Sequence, residues 1–133
     1  MFKLIKKAYT RHLDGLVEKY WEIYKFDMSP NHTSYNNEAD AFKHCMFQAE
    51  LTFWLGKDIA KFFGDLHEAK PQNPDKEKVM DLHNNEKGRE IGLVFRKGIF
   101  PHIPFKGKIE KTYDGIAAII MKRMKDGELI TKC

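Results

Sequence analysis

Three short segments in the middle of the chain concentrate histidine, carboxylate and amide side chains. Their sequences are Asp-Ala-Phe-Lys-His at 40–44, Gly-Asp-Leu-His-Glu at 64–68 and Met-Asp-Leu-His-Asn-Asn-Glu-Lys-Gly-Arg at 80–89. Imidazole and carboxylate groups bind metal ions and transfer protons near neutral pH. The chemistry of this protein is therefore expected in these segments.

The first segment places a carboxylate beside an imidazole. Asp40 and His44 are four residues apart in a helical pattern, so their side chains share one helix face, which Gln48 continues. An aspartate next to a histidine can fix its tautomer and raise its basicity, as a catalytic dyad or a metal site requires. The pair can equally be a hydrogen-bonded part of the core, and the sequence leaves both interpretations open.

The second segment adds another imidazole and another carboxylate near a helix end. Together with the first segment it gives the residues that we predict to be catalytic, namely Asp40, His44, His67 and Glu68. A divalent metal held between helices would be the cofactor of such a site, with His44, His67 and His83 as candidate ligands. The sequence contains no His-x-x-x-His pair, so no local motif identifies a zinc site.

The third segment has two polar faces. His83, Glu86 and Glu90 fall within the apolar face that the helical period predicts, where a buried carboxylate requires a cation or a proton. A second set points the other way and is predicted to bind an anionic or amide substrate: Asp81, Asn84, Asn85 and Arg89. A solvated helix face is the alternative interpretation of this second set.

Taken in order, the three segments resemble a small bacterial all-helical family of unknown function. The resemblance covers residues 37–92 and rests on the patterns Asp-Ala-Phe-x-His, Gly-Asp-x-His-Glu and Met-Asp-Leu-His-Asn-Asn-x-x-Gly-Arg. Members of that family occur as stand-alone proteins and as C-terminal modules of large secreted polymorphic toxins, so the resemblance implies a toxin-like domain. In the family pattern the position of His83 can be tyrosine, which implies that His83 is not an obligatory ligand.

The elements that must position these segments are helices. Apolar residues recur at steps of three and four over five stretches: 2–24, 37–55, 57–68, 76–94 and 109–125. The second stretch is apolar nearly all round and is expected to be the central, buried helix. We therefore predict an all-α fold with little or no sheet, a single compact domain over residues 1–133 whose motif-bearing core is 37–92.

Composition favours a folded protein but does not identify a partner. The 133 residues include 23 basic and 19 acidic side chains with a net charge of +4, and the two signs are interleaved along most of the chain. Cys45 and Cys133 do not have the spacing of a disulfide framework, so reduced thiols are expected. No transmembrane segment or export signal is legible. A cytoplasmic protein, or one delivered elsewhere without a conventional signal peptide, is predicted.

Two functions of different classes follow from these observations. The first is a hydrolase of unknown substrate, with His44 oriented by Asp40 as general base or metal ligand. The second is a non-catalytic module that binds nucleic acid or a membrane surface through the basic and aromatic residues of 95–108, namely Arg96, Lys97, Phe100, Phe105, Lys106 and Lys108. The predicted partner is an anionic substrate or a cognate protein. A purely structural polar core is the remaining interpretation, and it predicts lost stability rather than lost activity when Asp40 or His44 is replaced.

Overall fold

The structure, a computed structural model, describes residues 2–28, 37–69, 75–99 and 106–132. These ranges contain no β-strand, and their helices are α1 (Phe2–Tyr24), α2 (Glu38–Leu55), α3 (Lys57–Glu68), α4 (Asp75–Ile99) and α5 (Lys106–Lys125). The predicted all-α class is confirmed. None of these helices, as far as the chain is described, is both long and apolar enough to cross a bilayer.

Helix α2 is the centre of the fold. It packs against all four other helices. Phe42 stacks on Phe26 with ring centroids 5.0 Å apart, and Tyr20 of α1 tilts against the same ring at 5.8 Å. Its buried residues are Ala39, Asp40, Ala41, Phe42, Cys45, Met46, Gln48, Ala49, Glu50, Thr52 and Phe53. The prediction of a central buried helix is confirmed, and the polar residues on it require partners.

Two glycines allow α4 to lie directly against α2. A Cβ atom at Gly88 would collide with the backbone carbonyl of Cys45, and one at Gly92 would lie 2.5 Å from the carbonyl oxygen of Ala49. Only glycine permits so close an approach of two backbones. The crossing brings the polar side chains near the start of α4 within reach of those on α2.

Local signals set the helix ends near the polar residues. The side chain of Asn37 accepts a hydrogen bond from the backbone N–H of Asp40 at 2.9 Å, which caps α2 and fixes its first turn. Gly56, at φ +95°, separates α2 from α3. Gly127, at φ +78°, ends α5 with the two backbone hydrogen bonds of a Schellman motif.

Helix α4 is longer than the sequence predicts, and α5 starts earlier. The prolines and glycines of residues 95–108 predict an irregular stretch, but α4 continues to Ile99 and α5 begins at Lys106. That part of the prediction is wrong. Residues 29–36, 70–74 and 100–105, which belong to predicted loops, lie outside the described residues.

Tertiary contacts explain why α4 continues. A Cβ atom at Gly115 of α5 would lie only 2.9 Å from the ring of Phe95, so this ring packs closely on α5. The guanidinium of Arg96 donates a hydrogen bond of 2.8 Å to the backbone carbonyl of Phe53. These contacts offset the cost of about 1 kcal/mol that a glycine such as Gly98 carries inside a helix.

The apolar side of α3 faces solvent. Its large residues are between 41% and 63% exposed: Ile59, Phe62, Phe63 and Leu66. The opposite side, with Ala60, Gly64 and Glu68, is buried, and α3 packs against α2 and α4. Because the two smaller residues allow a close approach, α3 brings the carboxylate of Glu68 into the interior.

Candidate metal-binding site

Side chains from three helices meet in the interior. They come from α2, α3 and α4 and are called here the polar cluster: Asp40, His44, Glu68, Asp81 and Asn85. The four titratable side chains of this cluster are only 1% to 13% exposed. Charged groups at such burial require partners or protons, so their mutual geometry decides what they do.

His44 lies at the centre of the polar cluster. Its Nε2 atom is 3.3 Å from Oδ1 of Asp40 and 3.3 Å from Oδ1 of Asp81. Its Nδ1 atom is 3.2 Å from Oδ1 of Asn85 and 3.7 Å from Oε1 of Glu68. One imidazole ring therefore connects residues from all three helices.

Asn85 selects which ring nitrogen of His44 carries the proton in the neutral ring. A carbonyl oxygen can only accept a hydrogen bond, so the Nδ1–H group of His44 donates to Oδ1 of Asn85. The lone pair of Nε2 then faces the carboxylates of Asp40 and Asp81. Such an arrangement of acceptors is repulsive unless a proton or a cation lies between them.

Protons provide this compensation when no cation is bound. Burial lowers the pKa of His44, but the hydrogen bond to Asp40 and the charges of Asp81, Asp40 and Glu68 outweigh burial, so the pKa is raised. Burial, opposed by the charge of His44 and reinforced by those of Glu68 and Asp40, raises the pKa of Asp81 to about 7. The cluster therefore exchanges protons near neutral pH.

Three atoms of the polar cluster are spaced as metal ligands. One ligand atom each from Asp40, His44 and Asp81 lie within 4.8 Å of one another. Ligands at about 2.0–2.1 Å from a tetrahedral zinc ion are about 3.3–3.4 Å apart, which matches both 3.3 Å distances from Nε2. Oδ1 of Asp81 is buried and accepts no hydrogen bond from the described residues. This oxygen is available to a cation.

Glu68 and His67 lie beside these ligand atoms. Glu68 is 1% exposed, and its carboxyl group shares a hydrogen bond with that of Asp81. The ring of His67 is centred 6.1 Å from that of His44, and His67 is exposed. The structure thus brings all four residues predicted to be catalytic into one region, with a buried carboxyl group on one side and a solvent-facing imidazole on the other.

Two predicted site residues contact the C-terminal segment instead of the polar cluster. Nδ2 of Asn84 donates to the carbonyl of Ile130 at 2.8 Å, and Oδ1 of Asn84 accepts from the N–H of Ile130 at 3.0 Å. Nε2 of His83 donates to the carbonyl of Glu128 at 2.7 Å. His83 and Asn84 are therefore engaged with the C-terminal segment and are not members of the polar cluster.

A second polar contact borders the cluster. Arg89 donates to Oε1 of Gln48 at 2.8 Å. A Cβ atom at Gly64 would lie 2.7 Å from Nε2 of Gln48 and 3.2 Å from Nδ2 of Asn85. Glycine at this position therefore gives both amides room. This role of Gly64 was not predicted from the sequence. The available signal is that Gly64 is the first residue of the second motif.

The predicted burial of Glu86 and Glu90 is wrong. Both are exposed, and Glu90 pairs with Arg123 at 3.3 Å. The predicted apolar face is defined by Val79, Leu82, Leu93 and Val94, but Val79 and Val94 are 62% and 63% exposed, and the two leucines are only half-buried. The buried side of α4 has only two large apolar residues, Met80 and Ile91, and otherwise consists of Asp81, Asn84, Asn85, Gly88 and Gly92. Such residues do not register as an apolar face in the sequence.

Only part of the basic and aromatic stretch at 95–108 can be located. The guanidinium of Arg96 is engaged with the carbonyl of Phe53, whereas Lys97 is exposed. Phe100 and Phe105 lie outside the described residues, and so do the side chains of Lys106 and Lys108. The described part therefore gives no separate support to a binding surface there.

Comparison with known families gives a match that covers most of the chain. Residues 22–128 match the family described as Domain of unknown function (DUF6973). The chain belongs to this family. The DUF6973 match spans α2 to α5 and the whole polar cluster, and it includes only the last residues of α1. Membership in a family of unknown function is thereby confirmed, while the association with toxins remains a prediction. No solved structure matches the chain.

Proposed function

We propose that this DUF6973 protein is a metal-dependent hydrolase whose site is the polar cluster. Nε2 of His44 and one carboxylate oxygen each of Asp40 and Asp81 bind a divalent cation. The observation that carries the proposal is the pair of 3.3 Å distances around Nε2, combined with the contact of Nδ1 to Asn85. A hydrogen bond from the second ring nitrogen is the feature that orients most metal-ligating histidines.

One nitrogen and two oxygen ligands favour zinc or a similar transition-metal ion. Mg²⁺ and Ca²⁺ prefer oxygen ligands alone, whereas catalytic zinc sites use three protein ligands and keep a fourth position for water. A zinc ion held by these residues would lower the pKa of a coordinated water to about 7 and so supply a nucleophile at neutral pH. The ligand set therefore suits hydrolysis.

Glu68 and His67 move the protons of this reaction. Glu68 lies 3.7 Å from Nδ1 of His44, and its charge raises the pKa of the ligand Asp81, so its carboxylate lies beside the ligands and takes a proton from the attacking water. The water oxygen bonds to the electrophilic atom of the substrate, and the bond to the leaving group breaks. His67, at the exposed edge, gives the leaving group a proton. Arg89, held by Gln48 beside the cluster, stabilises negative charge that develops on the substrate.

The resemblance of the three motifs extends this proposal to a toxin-type enzyme. Its support is the order and residue types of the motifs at 40–44, 64–68 and 80–89. A toxin-type hydrolase would act on a component of a target cell, and purified protein would then inhibit growth when produced inside bacteria. Growth inhibition that persists in a His44→Ala variant would contradict this extension.

Metal binding is tested on purified protein that has been stripped with a chelator. Titration calorimetry with a zinc salt is expected to show one site per chain in the wild type. His44→Ala and Asp40→Asn are expected to weaken binding by a factor of about 100 or more, since each removes a ligand. His83→Ala, which removes an imidazole outside the cluster, is the matched control and is expected to bind as the wild type does. Absence of zinc binding by the wild type, or an equal loss in His83→Ala, would overturn the metal site.

Hydrolysis is tested separately on phosphodiester, ester and peptidoglycan substrates with zinc present. At least one substrate class is expected to be cleaved by the wild type and by His83→Ala. The same substrate should be cleaved at least about 100-fold more slowly by His44→Ala, given the size of such contributions. Equal rates with and without His44 would refute the catalytic role of the cluster.

A further inference from the structure

One half of α1 carries a run of basic residues. Residues 3–11 contain no acidic residue and four basic ones, Lys3, Lys6, Lys7 and Arg11. The chain has 23 basic and 19 acidic residues, so without these four the two signs are equal in number. A comparable excess lies at residues 96–111, with five basic residues and one acidic residue, and four like charges on one half of a helix also produce a local positive field.

These four cations have no acidic partners in the described structure. All four side chains are exposed, and none forms an ion pair with any residue that the structure describes. The next carboxylate along the helix, Asp14, is paired with Lys43 of α2 at 2.9 Å. The positive charge is therefore left open to a ligand.

The position of Lys3, in the first turn of α1, opposes the stability of the helix itself. The first turn of a helix carries a partial positive charge and favours Asp or Glu, but α1 has no acidic residue there. Cations at this end cost stability. A basic residue at the start of a helix that gains no contact within the protein indicates a functional surface.

The charges are arranged as a row. Lys3, Lys7 and Arg11 follow one another at intervals of four residues. Neighbouring members of this row therefore lie about 6 Å apart along the helix. With Lys6, Thr10 and Asp14 they line an open groove of about 480 Å³, in which Asp14 is the one carboxylate and is paired with Lys43. A row of cations along a groove complements a row of phosphates along a polymer backbone.

We propose that four residues of α1, called here the basic row, bind the phosphate backbone of nucleic acid: Lys3, Lys6, Lys7 and Arg11. A bilayer is a poorer fit, because an interfacial helix inserts a continuous apolar face, whereas among the described side chains of residues 3–11 only Leu4 is a large apolar group exposed to solvent, and the apolar face further along α1 is occupied. Leu13, Val17 and Tyr20 are buried in the core. On the same helix, Tyr9 donates to Glu50 at 2.5 Å, and His12 contacts Glu50 at 2.8 Å. These contacts hold α1 on the body of the protein with its basic row outward.

The proposal is independent of the metal-dependent reaction, so its test is done in the presence of a chelator. Fluorescence anisotropy measures the binding of labelled double-stranded and single-stranded oligonucleotides at several salt concentrations. The combined variant Lys3→Gln, Lys7→Gln, Arg11→Gln is compared with Lys76→Gln, Lys111→Gln, Lys125→Gln, which removes three exposed cations elsewhere. Circular dichroism confirms that both variants remain helical.

The wild type is expected to bind with a log Kd that rises with log salt concentration at a slope of about 3.6 for duplex DNA, the value for four phosphate contacts. The α1 variant is expected to lose at least about tenfold in affinity and to reduce the slope to about 1, whereas the control keeps the slope of the wild type. Equal losses in the two variants would show that net charge alone matters and would overturn the proposal. Wild-type binding to phosphatidylserine vesicles without binding to either oligonucleotide would also overturn it.

Discussion

His44 contacts every other member of the polar cluster, so the candidate site depends on this residue more than on any other. Its Nδ1 atom meets Asn85, and its Nε2 atom meets Asp40 and Asp81 at equal distances. The two sides of the ring have different roles. The hydrogen bond at Nδ1 fixes the tautomer, and Nε2 presents its lone pair to two carboxylates.

Replacing Asn85 by alanine is expected to weaken zinc binding by about 10- to 100-fold, the usual effect of losing the partner that orients a ligating histidine. The matched control is Asn84→Ala, which removes the neighbouring amide and its two hydrogen bonds to Ile130. That variant is expected to lose about 1–3 kcal/mol of stability but to keep its zinc affinity. Calorimetry and chemical denaturation measure both quantities, and weakened zinc binding in Asn84→Ala alone would contradict the assignment.

Asp81 should make the metal-free protein less stable as pH rises. Its pKa is raised from 3.8 to about 7, so between these values the folded state holds a proton that the unfolded state has lost. Stability therefore falls with rising pH across that window, and the raised pKa of His44 continues the fall at higher pH. Asp81→Asn removes the first contribution. With a chelator at pH 7.5 it is expected to melt several degrees higher than the wild type, at about 4 °C per kcal/mol.

The same variant is expected to lose zinc binding, because an amide replaces a carboxylate ligand. Higher stability together with lost binding is the signature of a residue kept for function. Thermal melts at pH 4.5 and pH 7.5 check the sign, since the difference between variant and wild type should shrink at the lower pH. A variant that is less stable than the wild type at both pH values would show that Asp81 has a structural role.

At the scale of the elements, the crossing of α2 and α4 determines whether the cluster exists. Gly88 and Gly92 set the distance between the two backbones. The sequence predicts a helix over these residues but not its orientation, because Val79 and Val94 suggest a different buried face. Similarly, the helical period of α3 identifies its apolar side, yet this side faces solvent while Glu68 is buried. A hydrophobic pattern cannot reveal that small residues make the closer fit.

Gly92→Ala is expected to destabilise the protein by about 2 kcal/mol or more, because an added Cβ forces the two helices apart. Gly15→Ala is the matched control, since a Cβ at Gly15 of α1 has no atom within 4 Å. It is expected to stabilise the protein by about 0.5–1 kcal/mol through helix propensity. Urea denaturation measures both changes. Equal effects at the two positions would show that α2 and α4 are not in close contact.

At the scale of the whole molecule, a buried glutamate joins helices that are distant in sequence. Glu50 of α2 accepts hydrogen bonds from Tyr9 of α1 and from Tyr113 of α5, both at 2.5 Å, and contacts His12 at 2.8 Å. Burial raises the pKa of both phenols, so they remain donors. Glu50 therefore holds α1 on the other helices. Most of α1 lies outside the DUF6973 match.

Glu50→Ala is expected to lower the unfolding free energy by about 3 kcal/mol, because it leaves the buried tyrosine hydroxyls without their acceptor. Faster amide exchange should be largest in α1. Glu18→Ala, which removes an exposed carboxylate from α1, is expected to change stability by less than about 0.5 kcal/mol. Unchanged exchange in α1 of Glu50→Ala would contradict the role of Glu50 in holding that helix.

The sequence by itself determined the helices, the central position of α2 and the residue types of the site, because these depend on local periodicity and on the chemistry of single side chains. Asp40 and His44 could be paired from their spacing alone, since four residues make one helical turn. Only the tertiary structure decided that Glu68, Asp81 and Asn85 join them while His83 and Asn84 contact the C-terminal segment. That choice depends on the distance and rotation of α3 and α4 against α2. Close contacts at Gly64, Gly88 and Gly92 set this distance and this rotation. The residue pattern of a single helix does not predict these contacts.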